Sequence, residues 1–164
     1  MAEKISSPIR PTDDEARALG RALIDDARFG ALGVIDPETN TPMVSRIAVG
    51  TDSNGCPITL ISDLSHHTKA LRVSPSASLL LGEPGEKGDP LTHPRITLQV
   101  EADFLSRKAK AFPNLRTHYL KQRPKAKLYI DFADFQLVHL RVTSAMLNGG
   151  FGKAFLLQPS DLNL

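Results

Sequence analysis

The sequence predicts a mainly β domain with flanking helices, an α+β class in which the strands pair antiparallel. Two observations carry that prediction. From Phe29 the pattern turns strand-like, in apolar-rich segments joined by polar links such as DPETNTP and TDSNGC, and 94–104 alternates cleanly between apolar and polar residues. Helical spacing is confined to three short stretches. A chain of 164 residues suits one domain with one core, and 41% hydrophobic with 23% charged residues is ordinary for a globular protein. The formal charge of +2 is too small to name an acidic partner by itself. The single Cys56 excludes an intrachain disulfide and a cysteine-based zinc cluster, and it points to the cytoplasm as the expected location. MAEKISSPIRPTDDEAR lacks an apolar signal core, and no run approaches the ~20 apolar residues of a membrane span. No membrane partner is expected.

In chain order, residues 1–11 read as a flexible arm, and residues 12–164 as the single domain. Thr12 and Glu15 match a capping box for a helix continuing to about Ala27, with Ala16, Leu19, Leu23 and Ala27 on one side. Strands follow over 29–35, 43–50 and 57–62, then a helix over 66–73 and a buried strand over 76–81. Arg46 falls on the same strand face as Val44 and Ala48, opposite Met43, Ile47 and Val49. GEPGEKGDPLTHP is a loop, and 94–104 alternates Ile96, Leu98, Val100, Ala102 and Phe104 against polar partners. Helical spacing over 106–124 is broken at Pro113, which predicts two short helices. Residues 129–143 return to strand, with a further short strand from Ala145 toward Phe151 and a glycine-rich GGFGKA turn.

The chemistry-bearing stretch is LISDLSHHTKALRVSP, a strand that runs through a polar turn into a helix. Ser62, Ser65, His66, His67, Thr68 and Lys69 crowd that junction. Free N–H groups and the positive end of the helix dipole favour an anion there, a phosphate above all. Arg46, on the neighbouring strand, can add a bidentate guanidinium. Adjacent His66 and His67 sit about 100° apart on a helix and make a poor joint metal site. HExxH, GxSxG, P-loop and GxGxxG patterns are absent, so no catalytic residue or metal ligand is assigned. Between Arg107 and Lys127 stand eight basic residues and no acidic ones, interleaved with Phe112 and Tyr119. A solvated helix face explains them better than nucleic acid does.

SRIAV, LISDLSHHTKAL, SPSASLLL, DPLTHPRITLQVEA and ADFQLVHLRVTSAMLNGGFGKA occur in an order that resembles the pyridoxamine 5′-phosphate oxidase-like FMN-binding split barrels, and within them the haem-utilisation branch. The resemblance covers roughly Arg17 to Leu157. It implies a six-stranded antiparallel split β-barrel that forms a homodimer, with FMN in clefts at the subunit interface. It assigns cofactor-binding roles to Arg46, Ile47, Ala48 and Val49 along the flavin. Ser62, His67, Thr68 and Lys69 would hold the phosphate, Gln99 would reach the flavin from a neighbouring strand, and Phe151 would wall the site. The implied function is a flavin-dependent oxidoreductase acting on a small-molecule substrate. The alternative is a non-enzymatic carrier of flavin or haem linked to haem utilisation.

Overall fold

A computed structural model describes residues 7–164, in which nine strands and three α-helices carry the fold. Strand β1 (Ile9–Arg10) and helix α1 (Asp14–Asp25) precede β2 (Phe29–Ile35), β3 (Pro42–Ala48), β4 (Gly50–Thr51) and β5 (Pro57–Ser62). Then come α2 (His66–Val73), β6 (Ser76–Leu81), β7 (Arg95–Phe104), α3 (Phe112–Gln122), β8 (Phe135–Asn148) and β9 (Ala154–Leu157). The ladder order is β1-β9-β8-β7-β6-β2-β3, with β5 bonded to the first half of β8 and β4 bonded to β5. The sheet thus has nine strands rather than the expected six, and β1 pairs with β9 in parallel. The other ladders are antiparallel.

The sheet curls until β3 and β5 meet, but no ladder joins them among the described residues. Instead the Oγ1 of buried Thr59 on β5 donates to the Ala48 carbonyl on β3 at 2.6 Å. This satisfies a hydroxyl that would otherwise be costly to bury. The barrel is therefore split along one seam, and that seam holds the candidate site.

The barrel interior is filled by Leu32, Val34, Ile47, Val49, Leu79, Leu81, Ile96, Leu98 and Leu140. Each fully buried aliphatic side chain stabilises by about 1.5–3 kcal/mol relative to exposure. A second apolar cluster lies outside the β5–β8 pair, where Ile58, Leu60 and Leu137 meet Phe112, Leu115 and Tyr119 of α3. Strands β5 and β8 are thus covered on both faces at this end.

On the remaining outer face the register aligns Arg46, Ala31, Leu80, Thr97, Met146 and Leu156 in one row across six strands. The adjacent row is Val44, Gly33, Ser78, Gln99 and Ser144. Leu80, Met146, Leu156 and Val44 are exposed, and Arg46 is the one charge in the two rows.

Several local expectations are corrected. The N-cap of α1 is Asp13, whose carboxylate accepts from the Ala16 N–H, while Thr12 turns away to donate to the Leu156 carbonyl. The helix ends at Asp25, two residues short of Ala27. Pro113 begins α3 instead of breaking it, because a first-turn proline lacks only an N–H that the helix leaves unbonded anyway. Ile9 and Arg10, placed in the arm by the sequence, are held as β1; residues 1–6 of that arm lie outside the described residues. Residues 129–134 are turns, and β8 runs unbroken from Phe135 to Asn148, absorbing the strand expected from Ala145.

Candidate functional site

Strand β5 delivers Ser62 to the start of a turn, and α2 begins at His66 with Ser65 as its N-cap. The Ser65 side chain makes no capping hydrogen bond, so the first N–H groups of α2 are left without a side-chain acceptor. Ser62 is used differently. Its Oγ donates to Asp134 Oδ2 at 2.6 Å and accepts from the Leu64 N–H at 3.1 Å, tying the turn to the segment before β8. Asp63 is held in turn by Gln136 at 2.9 Å and by Arg72 at 3.3 Å. Two carboxylates therefore stand near a junction that the sequence reads as purely anion-attracting.

Between this junction and β3 opens a cleft of about 270 Å³ lined by Arg46, Ile47, Ala48, Leu60, Ile61, Ser62, Ser65, His67, Tyr129 and Phe135. Arg46 lies over the Phe29 ring, its guanidinium carbon 5.1 Å from the centroid. His67 Nδ1 is 3.0 Å from Ser45 Oγ, and its Nε2 is buried with no hydrogen-bond partner. Burial pushes the His67 pKa down, so the imidazole is neutral near pH 7. The opposite wall is aromatic. Tyr129 and Phe135 have ring centroids 4.9 Å apart, and Phe132 meets Phe135 edge-on at 6.3 Å.

The basic stretch after β7 holds that wall in place. Arg107 Nη2 reaches the carbonyls of Ile130, Phe132 and Phe135 at 3.0, 2.6 and 2.8 Å. Arg116 makes a two-pronged ion pair with Asp131 at 2.8 and 2.5 Å. Arg123 donates to the carbonyls of Val49, Gln122 and Ala27. Three of the eight basic residues are thus engaged in ties within the chain.

Of the ten residues singled out as cofactor-binding, Arg46, Ile47, Ala48, Ser62 and His67 line this one cleft. Val49 is buried in the core beside it, and its carbonyl accepts from Arg123 at 2.8 Å. Thr68 is buried, and its Oγ1 has no partner. Lys69 is exposed on α2. Gln99 lies on the outer face, where its Oε1 accepts from Ser78 Oγ at 3.2 Å beside a separate hollow of about 260 Å³. Phe151 is 93% exposed in the turn after β8, at the far end of that strand from Phe135 and roughly 40 Å along it. Ser65, named at the junction from sequence, also lines the cleft, whereas Ser45, Tyr129 and Phe135 were missed as lining or supporting residues. Ser45 could have been found beside Arg46 as a polar residue in an apolar strand, whereas the Tyr129–Phe135 wall depends on long-range packing.

A larger hollow, about 500 Å³, lies between α3 and the 52–54 turn. There His118 Nε2 meets the Gln122 amide at 2.9 Å and His139 Nε2 lies 3.3 Å from Asp52 Oδ2. Burial, aided by the Asp52 charge, pushes the Cys56 thiol up to about 11, far from a reactive thiolate. Among the described residues no three His, Cys, Asp or Glu side chains converge on a metal geometry, and no helix is long and apolar enough to cross a membrane.

A mainly β sheet curled into a barrel, split along one seam and lined there by a helix start, defines the split-barrel class related to the pyridoxamine 5′-phosphate oxidases. Within that class the chain belongs to the CREG β-barrel family, which it matches over residues 11–161. It is 35% identical over 115 residues to the chloroplastic heme oxygenase HOZ of Arabidopsis thaliana, a match covering 70% of this chain and 34% of that protein. The heme binding protein of Mycobacterium smegmatis superposes with a TM-score of 0.81 at 26% identity, covering 94% of this chain and 61% of that one. ChuZ of Campylobacter jejuni shares the fold, with a TM-score of 0.79 at 19% identity over 94% of this chain and 63% of its own. The chain spans about a third of the length of the curated relative and under two thirds of these two structures.

Proposed function

We propose that the chain binds haem in the β3–β5 cleft, that a second copy completes the cleft, and that the protein serves haem handling. The observation that carries this reading is the pairing of an aromatic wall, Tyr129 and Phe135, with a single guanidinium, Arg46. A flat macrocycle packs against aromatic rings, and its propionate carboxylates match the fork of an arginine. The unpartnered Nε2 of His67 is a further sign that the cleft fits a group from outside the chain. Relatives described as a haem oxygenase and a haem-binding protein support the same choice. Bound haem supplies one-electron and oxygen chemistry. The chain's residues bind it, orient it and keep water from one face.

The homodimer is argued from two features. At about 270 Å³ the cleft is smaller than the ~300–1,000 Å³ of a typical ligand pocket and is open on one side. It also adjoins the outer face whose two rows carry no charge but Arg46, a patch better covered than left in water. In that arrangement Gln99 and Phe151 would reach the cofactor from the second copy.

FMN is a second reading, favoured specifically by the uncapped start of α2. Arg46, Ser62, His67, Thr68 and Lys69 would hold its phosphate, and the protein would be a flavin-dependent oxidoreductase on a small-molecule substrate. Against it stand the neutral His67 and the carboxylates of Asp63 and Asp134 beside the clamp, which oppose a dianion.

Separate absorbance titrations with haem and with FMN test the choice. Haem should saturate near one per chain with a defined Soret band, and FMN should bind more weakly. If neither titration changes the spectrum, both readings fall. Bleaching of the Soret band under a reductant and oxygen would separate haem breakdown from carriage.

A further inference from the structure

The eight basic residues between Arg107 and Lys127 divide by type. Arg107, Arg116 and Arg123 are taken up by backbone carbonyls and by Asp131. The other five, Lys108, Lys110, Lys121, Lys125 and Lys127, are exposed, and none makes an ion pair among the described residues. Asp131 is the only carboxylate from residue 107 to residue 132, and Arg116 pairs with it, so the lysine charge stands uncompensated. At about 100° per residue, Lys121 falls on the side of α3 away from buried Phe112, Leu115 and Tyr119.

Bulky apolar side chains protrude beside these lysines. Leu128 ends the 3-10 turn Pro124–Leu128 that carries Lys125 and Lys127, and it is 79% exposed. Phe132 is 57% exposed, and Leu64, in the turn after β5, is 76% exposed. Each adjoins a residue lining the β3–β5 cleft: Leu64 lies between Ser62 and Ser65 in sequence, Leu128 precedes Tyr129, and Phe132 meets Phe135. This is the wall opposite Arg46, away from the sheet rows that a second copy would cover.

The side chains decide the kind of partner. Nucleic acid is held by arginine forks and aromatic stacking, but these arginines are tied within the chain and Phe112 and Tyr119 are buried. Protein interfaces favour arginine and are depleted in lysine. Free lysines around a protruding leucine and phenylalanine match the surface of an anionic bilayer instead. There ammonium groups meet the headgroups, and apolar side chains enter the acyl boundary. We propose that Lys121, Lys125, Lys127, Leu128 and Phe132 dock the chain on an anionic lipid surface, with the mouth of the cleft beside the bilayer. The expectation of no membrane partner rested on the lack of an apolar span, which such a contact does not need. The inference does not depend on which cofactor the cleft takes.

The test is flotation of the full chain with vesicles of phosphatidylcholine alone or mixed with phosphatidylserine. The parent should bind the mixed vesicles, leave phosphatidylcholine alone unbound, and be released as salt is raised. Lys125→Glu with Lys127→Glu should weaken binding at least about tenfold, since each lysine near such a surface contributes about fivefold. Lys87→Glu with Lys153→Glu, an equal change of net charge on loops elsewhere, should change it less than about twofold. Leu128→Ser with Phe132→Ser should weaken it severalfold, with circular dichroism checking the fold. No binding of the parent to mixed vesicles overturns the proposal. So does an equal loss from both lysine pairs, which marks a general charge effect, and so does unchanged binding by the Leu128 and Phe132 double variant. Binding to duplex DNA or polyglutamate as tight as to mixed vesicles at the same salt also overturns it, in favour of a nucleic acid or an acidic protein.

Discussion

His67 gives the chain a pH dependence whose sign follows from its environment. Its folded pKa lies below the unfolded value of roughly 6.5 because burial penalises the cation. The unfolded chain therefore binds the proton more readily, and stability rises with pH through the window below that value. The urea midpoint should fall as pH is lowered through about 6.5, and His67→Gln should flatten that fall. An unchanged slope in the variant would show that the imidazole is solvated in the folded state. Gly30, on β2, makes a second prediction. A Cβ there would lie 2.7 Å from Leu81 Cδ2 and 2.9 Å from the Leu80 carbonyl oxygen, and the backbone atom cannot swing aside. Gly30→Ala should cost roughly 1–3 kcal/mol, read as a lower urea midpoint with an unchanged slope. At this scale Arg46 was legible, because period two places it outward. The hydrogen bond between Ser45 and His67 joins residues 22 apart and left no local signal.

Among the elements, β8 shows why part of the sequence misled. Its inward residues are Val138, Leu140 and Val142, then Ala145 and Leu147. The parity changes because Thr143 is an extra residue, a bulge opposite the Gln99/Val100 step of β7. One bulged strand therefore reads as two strands in the sequence. The elements whose bounds came out as expected, 29–35, 57–62, 66–73 and 76–81, are bounded by turn residues or helix signals and contain no bulge. The stretch from Arg107 to Lys127 offers a prediction of its own. If Arg107 is the tie that fixes the aromatic wall, Arg107→Ala frees three carbonyls and should lower stability by about 1–3 kcal/mol. It should also weaken haem binding. The chain has no Trp and two Tyr, so quenching of tyrosine emission by haem reports that loss.

For the whole molecule, the outer face carries the strongest expectation. Leu80 and Met146 sit in one cross-strand row, 42% and 57% exposed in the single chain. If a second copy covers them, each loses about 1.5–3 kcal/mol of burial when replaced by a charge. Leu80→Glu and Met146→Glu together should convert a dimer into a monomer in light scattering and weaken haem binding with it. A monomeric parent chain would refute the shared cleft. The β class and the junction at Ser62–Lys69 were readable because both are written in local pattern. The seam between β3 and β5 was not, since among the described residues the Thr59 hydroxyl alone bonds β5 to β3 and that contact has no periodic signature.

Strand β8 pairs with three others, with β7 along one edge and with β5 and then β9 along the other. It also carries side chains of both apolar clusters, Leu137 in one and Leu140 in the other. Neither cluster can come apart without stripping the same ladder, so the two should melt as one cooperative unit. In native-state hydrogen exchange the amides of residues 137–142 should be the slowest in the chain, released only by global opening. The amides of α3 should join them at the same free energy if the coupling holds, and α3 amides exchanging far ahead of β8 would show that the outer cluster opens alone.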